Sequence, residues 1–338
     1  MTPGRAPGSI LLVRTSALGD VVHALPVLSA LRRAFPSARL GWVVDETFAP
    51  LLAGHGLLDE VFPVPLRRWR RGGSGRHRQL LAALGRLRGF RPDVAFDLMG
   101  SHKGALLAFV SGAPLRIGAR RADRREPASA IWINRPLPCP RAHAVDRGLA
   151  LLAGLDLAVE PAEFAPDELA CGRGVAEPGG HVYLHPGAAW GNKRYPPERW
   201  GRVAALLARS SGLEIRVGVA PGEEPLAEAV IAASGGGARR WDAAGLDQLV
   251  AAIRGARLVL GGDTGAVHLA RALGVPAIAV HGPTDPELHG VYAAPGSALC
   301  EPLPCSFCHR RMEEAKACLL GIPPERVAAA AQDALASD

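Results

Sequence analysis

The chain has 338 residues, 39 Lys+Arg against 32 Asp+Glu and a 48% hydrophobic fraction, which places it among folded globular proteins and excludes a disordered or single small module. Gly (40) and Pro (29) make up about a fifth of it, so many turns are expected. Six cysteines are too few for a disulfide scaffold, and the longest apolar stretches, such as Ala105–Val110 and Leu273–Val280, fall far short of the ~18 residues that span a bilayer. No stretch near the start reads as a secretory signal, because Ser9–Val13 is short and Arg14 ends it. These features together point to a cytoplasmic enzyme.

In chain order, Ile10–Val13 reads as a buried strand, followed by a turn at Ser16–Gly19 and a helix over Asp20–Phe35 with apolar Val21, Val22, Leu25, Leu28 and Leu31 at helical spacing. Leu40–Val44 predicts a strand, Pro50–Leu58 a helix, Glu60–Val64 a strand, Gln79–Leu87 a helix and Val94–Leu98 a strand. The Pro- and Gly-bearing stretch Val159–Gly180 interrupts this rhythm. Beyond it the alternation resumes, with strands at Val182–His185, Glu214–Val219, Leu258–Gly261 and Ala277–Val280, and helices at Trp200–Arg209, Pro225–Ala233, Leu246–Arg254 and Val267–Leu273. Such alternation predicts an α/β protein with parallel sheets, here two Rossmann-like domains: 1–165, a linker over 166–180, and 181–338 with a C-terminal helix. Ligands of such sheets bind beyond the carboxyl ends of the strands. The loops after Val13, His185, Val219, Gly261 and Val280 are therefore the candidate site.

Charge is unevenly placed. Residues 1–160 carry 23 Lys+Arg against 12 Asp+Glu, and residues 161–338 carry 16 against 20. The basic surplus lies wholly in the first half and suits an anionic partner: nucleic acid, membrane head groups or an acidic small molecule. Its densest parts are Arg67-Arg68-Trp69-Arg70-Arg71 with Arg76 and Arg78, and the group Arg120, Arg121, Arg124 and Arg125. A basic run is also compatible with a plain solvated face, and with aromatics at 5% there is little of the interleaving that nucleic-acid binders show.

Several loops carry groups suited to chemistry. In Gly261-Gly262-Asp263-Thr264-Gly265 before His268, Asp263 or Thr264 can cap a helix whose free N–H groups attract an anion; an ordinary capped turn and a satisfied core histidine remain open. The loop His185–Pro196 holds Lys193, one of only three lysines, with a compact ammonium suited to a phosphate or simply solvated. Glu223 and Glu224 follow a strand end, where an acidic side chain meets ribose hydroxyls in nucleotide folds or merely starts a helix. Asp20 begins a helix as either a cap or a functional carboxylate. Cys305-x-x-Cys308-His309 with Cys318 and nearby Cys300 has part of a zinc-ribbon spacing but lacks a second pair.

Taken together, the motifs Arg14–Val21 with His23 and Leu25-Pro26, Trp42–Val44, Arg67–Arg70, Arg125–Pro127, His143–Val145, Lys193 with Pro196 and Trp200, Asp263–Gly265 with His268, and Gly282–Pro286 resemble the lipopolysaccharide heptosyltransferases in order and spacing over nearly the whole chain. The resemblance implies a GT-B fold, two Rossmann-like domains with parallel sheets facing across a cleft, and inverting transfer of heptose from ADP-heptose to Kdo of the lipopolysaccharide inner core. It implies that Asp20 is the general base. Lys193, Asp263, Thr264, Gly265 and His268 would serve the donor, with Glu223 or Glu224 on the ribose, and Arg67, Arg68, Arg70, Arg71 and Arg125 would meet the anionic Kdo-lipid A. No cofactor or bound metal is expected, and the place of action is the inner face of the inner membrane, peripherally held. Ala188 and Ala189 depart from the hydroxyl residues that enzymes adding the first heptose tend to carry, and the tail Cys305–Cys318 with Ile322–Val327 is more similar to later-acting members. The competing readings are a later-acting heptosyltransferase, a nucleotide-sugar epimerase and a nucleic-acid-binding module; no recognition motif supports the last.

Overall fold

The computed structural model describes residues 6–66, 76–174, 179–242 and 245–337. Arg67, Arg68, Arg70 and Arg71 lie outside the described residues. The chain forms two compact units, Met1–Cys171 and Gly172–Asp338, which divide inside the stretch read as a linker.

The first unit is built on six strands: β1 (Ser9–Val13), β2 (Arg39–Asp45), β3 (Glu60–Val64), β4 (Val94–Asp97), β5 (Leu115–Ala119) and β6 (Arg135–Leu137). They pair in parallel in the order β3-β2-β1-β4-β5-β6. All five residues of β1 and all four of β4 are buried, as expected of strands covered on both faces. The sequence shows β1, β2 and β4 because near-continuous apolar runs write such strands directly, and it shows the edge strand β3 through Val61, Phe62 and Val64 despite Pro63. It does not show β5 or β6: Arg116 breaks the first, and Pro136 restricts the second to the sheet edge.

Two expected helices differ. In place of one helix over Asp20–Phe35 there are two, α1 (Leu18–His23) and α2 (Leu25–Ala34), joined at Ala24. Pro26 in the first turn of α2 has no N–H to continue a helical ladder, so the chain bends and restarts there. The helix expected over Pro50–Leu58 is only α3 (Ala49–Leu52), stopped by Gly54 with φ +69°. Downstream come α4 (Arg76–Gly89), α5 (His102–Val110) and α6 (Ala144–Leu149).

The second unit repeats the plan. β7 (His181–His185), β8 (Ile215–Gly218), β9 (Arg239–Trp241), β10 (Ala256–Gly262), β11 (Ala277–His281) and β12 (Ala298–Cys300) form a parallel sheet in the order β12-β11-β10-β7-β8-β9. Around it lie α7 (Pro197–Ser211), α8 (Glu224–Ala233), α9 (Leu246–Arg254), α10 (Gly265–Ala272), α11 (Pro286–His289), α12 (Ala317–Leu320) and α13 (Pro324–Ala336). The core centres on fully buried Trp200, edge-on to Tyr195 with ring centroids 5.0 Å apart. Val327, Ala328 and Ala331 of the C-terminal helix close it. In each unit the strand order reverses once, between β1 and β4 and between β7 and β10, and the loops leaving those strands carry the residues considered next.

Candidate active site

In the second unit the loops after β7 and β10 touch. A Cβ on Gly262 would stand 2.9 Å from the Lys193 carbonyl and one on Gly261 3.1 Å from the His185 carbonyl, so the glycines permit this approach. Lys193 Nζ reaches Asp263 Oδ2 at 2.6 Å and lies 4.8 Å from the centre of the Trp190 ring. The other Asp263 oxygen, Oδ1, is 3.1 Å from His268 Nε2. Burial opposes charge on Asp263, yet the His268 hydrogen bond and the Lys193 charge hold its carboxyl well below the usual range. Asp263 is thus a fixed anion that aims a lysine and a histidine. His281 at the end of β11 is buried with it, and desolvation lowers its pKa to about 4 despite the Asp263 charge.

Thr264 occupies the N-cap position of α10 in extended geometry, but its hydroxyl makes no capping bond. Its buried Oγ1 has no partner among the described residues, and the Gly265 N–H follows at the helix start. That combination, an unused hydroxyl at an eight-residue helix N-terminus beside a lysine, is suited to a phosphate group. The loop carrying Lys193 is anchored from below: Asn192 Nδ2 donates to Arg310 O at 2.7 Å, and its Oδ1 accepts from the Met312 N–H at 3.2 Å. Arg311, brought up by this anchor, places its guanidinium 4.8 Å from the Trp190 ring centre. Trp190 and Arg311 went unread in the sequence because they meet across more than a hundred residues, whereas Asn192, read there as a phosphate-loop residue, has both ends of its amide engaged by the 310–312 segment.

The two candidate glutamates separate. Glu223 pairs with Arg194 Nη2 at 3.0 Å and leans on the loop after β7, where a Cβ on Gly187 would sit 2.0 Å from its Oε2. Glu224 instead accepts the Gly222 N–H at 3.0 Å in its own turn, a bond that lowers its pKa. Only Glu223 joins the loops described above.

In the first unit Asp20 sits in the first turn of α1, beyond β1. Its Oδ2 accepts the Ala17 N–H at 3.0 Å and its Oδ1 lies 2.5 Å from Arg14 Nη2. The helix-cap bond and an oriented, partly open carboxylate therefore coexist. Lys103 Nζ, from the first turn of α5 beyond β4, is 3.3 Å from Ser16 Oγ, so this switch point gathers two cations around Asp20's loop. Arg14 and Lys103 are additions to the sequence reading; the signal for Arg14 was its place in the same short motif. Arg125 is exposed, while its neighbour Arg124 is buried against Asp97 and Ser129. Burial raises the Asp97 pKa against the pull of Arg124.

Of the cysteine group, Cys305 and Cys308 are exposed, Cys318 is buried, and all are free. Among the described residues no three His, Cys, Asp or Glu side chains converge as a metal site.

The profile of "Glycosyltransferase family 9 (heptosyltransferase)" matches residues 81–318. The chain belongs to glycosyltransferase family 9. Lipopolysaccharide heptosyltransferase 1 of Pseudomonas aeruginosa is 33% identical over 315 residues, covering 89% of this chain and 86% of the relative. The Salmonella typhimurium enzyme of the same name is 31% identical, covering 87% and 94%. Lipopolysaccharide heptosyltransferase 2 of Escherichia coli is 28% identical over 82% of this chain. Among solved structures, E. coli heptosyltransferase WaaC with ADP superposes with a TM-score of 0.81 at 26% identity, over 96% of this chain and 99% of that one. The GT-B α/β class expected from the sequence is the class of this family 9 enzyme. A putative UDP-N-acetylglucosamine 2-epimerase from Listeria monocytogenes shares 13% identity at a TM-score of 0.51, which is a likeness of fold alone and gives the epimerase reading no support.

Proposed function

We propose that this glycosyltransferase moves heptose from ADP-heptose to the lipopolysaccharide inner core with inversion, and that its acceptor is Kdo on lipid A. The observation that carries the reading is the extent of the likeness to the heptosyltransferase 1 proteins, which spans both units. The sugar–phosphate bond breaks as the acceptor hydroxyl attacks the anomeric carbon from the opposite face, ADP leaves with the electron pair, and the hydroxyl proton passes to Asp20. Arg14 and the Ala17 N–H fix the Asp20 carboxylate for that step.

In the second unit Lys193, the Thr264 hydroxyl and the Gly265 N–H receive the donor's diphosphate and stabilise the charge that develops on ADP. Asp263 and His268 position Lys193, and Glu223 receives the ribose hydroxyls. Ala188 and Ala189 bring no hydroxyl, so backbone N–H groups of their loop supply the remaining donor contacts. Arg125 and the stretch Arg67, Arg68, Arg70 and Arg71 meet the acceptor's anionic groups. A helix N-terminus with a lysine neutralises the diphosphate without a divalent ion. The enzyme acts at the cytoplasmic face of the inner membrane, peripherally held. Among the described residues no helix is long and apolar enough to cross a membrane.

Product analysis tests the reading. With ADP-heptose, the protein is expected to glycosylate Kdo-lipid A and leave already heptosylated core unchanged. Transfer only to heptosylated core would move it among the later-acting enzymes, and transfer to neither would remove the reading.

A further inference from the structure

One exposed face of the first unit holds side chains that neither its core nor the transfer chemistry uses. Lys103, Leu106 and Phe109 follow at three-residue spacing on α5, one side of a helix, with Leu106 43% and Phe109 46% exposed. The Phe109 ring packs against Trp132 at a tilt of 50°, with centroids 4.9 Å apart. Arg116 lies 5.4 Å from the Phe109 ring centre and its Nε donates to the Trp132 carbonyl at 2.7 Å. Beside Trp132, Ile131 is 75% exposed, more than any other large apolar side chain among the described residues.

The charge along this stretch is mainly positive. Residues 101–141 contain eight Lys and Arg, one of them Arg124 buried on Asp97, against two acidic residues, Asp123 and Glu126. Both acids are already engaged: Asp123 by Arg120 at 2.8 Å and Glu126 by the His102 N–H at 2.7 Å. Arg121, Arg125 and Arg135 are exposed. A second copy of this chain would bring the same positive field against itself in a two-fold contact. A bilayer with anionic head groups complements both parts, since apolar side chains enter the acyl boundary while arginines meet phosphates.

We propose that Leu106, Phe109, Ile131 and Trp132, flanked by Arg121 and Arg135, form the surface that docks the enzyme on an anionic membrane. The same helix ties this surface to the chemistry. Lys103 at its start touches Ser16, four residues before Asp20, and Phe109 lies six residues further, about 9 Å along the axis. A lipid-linked acceptor seated in the bilayer at Phe109 presents its sugar toward the loop of Asp20. That last point rests on the glycolipid reading above; membrane docking itself is measured without any acceptor.

The test is co-sedimentation of the full chain with vesicles of phosphatidylethanolamine and phosphatidylglycerol, and with vesicles of phosphatidylcholine alone. The parent is expected to sediment with the anionic vesicles only, less so as salt rises. Ile131→Asp should lower the partition coefficient by about tenfold, as an apolar anchor is replaced by a charge of the wrong sign. A double Arg121→Glu, Arg135→Glu variant should lower it by roughly fivefold or more for each arginine charge lost. Both variants should keep the parent's melting temperature and kcat on a soluble acceptor saccharide without acyl chains. Vesicle binding equal to the parent's in both would overturn the proposal, as would a parent dimer that Ile131→Asp dissociates in the absence of any vesicle binding. A parent that binds vesicles but transfers heptose to no acceptor would sink the functional reading and leave the docking surface standing.

Discussion

Asp20 is held by a guanidinium on one oxygen and a backbone N–H on the other, an arrangement that aims a carboxylate without burying it. General-base catalysis is typically worth roughly 10²–10⁴ in rate. Asp20→Asn keeps the shape and the acceptor oxygen for Ala17, so kcat should fall by that order while ADP-heptose affinity, measured by calorimetry, stays near the parent's; a near-normal kcat in the folded variant would reduce Asp20 to a helix cap. Lys193 makes the matching case for the donor. Its ammonium is fixed by Asp263 before any phosphate arrives, so the binding geometry needs no reordering. Lys193→Ala should weaken donor binding by about 1.5–3 kcal/mol, the range for a hydrogen bond to a charged group, with kcat at saturating acceptor less affected than donor affinity. Equal donor dissociation constants for parent and variant would remove Lys193 from the phosphate site. The sequence singled out both residues and left each with a structural alternative; the structure adds their partners, Arg14 and Asp263, and the variants above decide between the two roles.

At the scale of elements, α7 and α8 pack closely at Gly201, where a Cβ would come within 2.4 Å of the Ala233 Cβ and 2.8 Å of the Val230 carbonyl. Helix propensity favours Ala over Gly by about 1 kcal/mol, yet the clash with backbone requires the helices to part. Gly201→Ala should therefore destabilise the second unit by about 1–3 kcal/mol, as overpacking does, seen as a lower urea midpoint with an unchanged slope; a gain in stability would show that the helices separate freely. The strand ends make a second prediction. His281, buried at the end of β11, has its pKa lowered to about 4, whereas an unfolded histidine titrates near 6.5. Between those values the unfolded chain binds the proton and the folded chain does not, so its contribution is full above pH ~6.5 and is lost as pH falls toward 4. At about 1.4 kcal/mol per unit the loss reaches roughly 2–4 kcal/mol, and His281→Leu should show a flatter fall of unfolding free energy over that window. Parallel curves for parent and variant would mean that His281 titrates normally in the fold. The helices that were misjudged, over Asp20–Phe35 and Pro50–Leu58, failed at Pro26 and Gly54, where one backbone constraint overrides a correct apolar spacing.

Across the whole molecule, charge is unevenly divided. The first 160 residues carry a surplus of basic groups and the rest a small acidic excess, so under the proposed function the field that attracts a multiply anionic acceptor arises from the first unit. Arg67→Ala with Arg70→Ala should raise the acceptor KM and weaken its salt dependence, leaving the donor KM unchanged; a rise in the donor KM alone would reassign these arginines. This partition was legible in the sequence because net charge needs only counting. So were the α/β class and most strands, since a parallel strand covered on both faces is written as consecutive apolar residues, as in Ile10–Val13 and Leu258–Gly261, and the turns that follow are marked by glycine. The sites themselves were not decided at that level. Lys193 and Asp263 are 70 positions apart, and they meet because β10 pairs with β7 while β8 and β9 are laid on the other side. Likewise Lys103 reaches Ser16 only because β4 lies against β1. Local patterning determines which segments become strands and where their loops begin; the order in which strands join a sheet depends on how all the segments pack together, and that order alone brings these distant loops to one switch point in each unit.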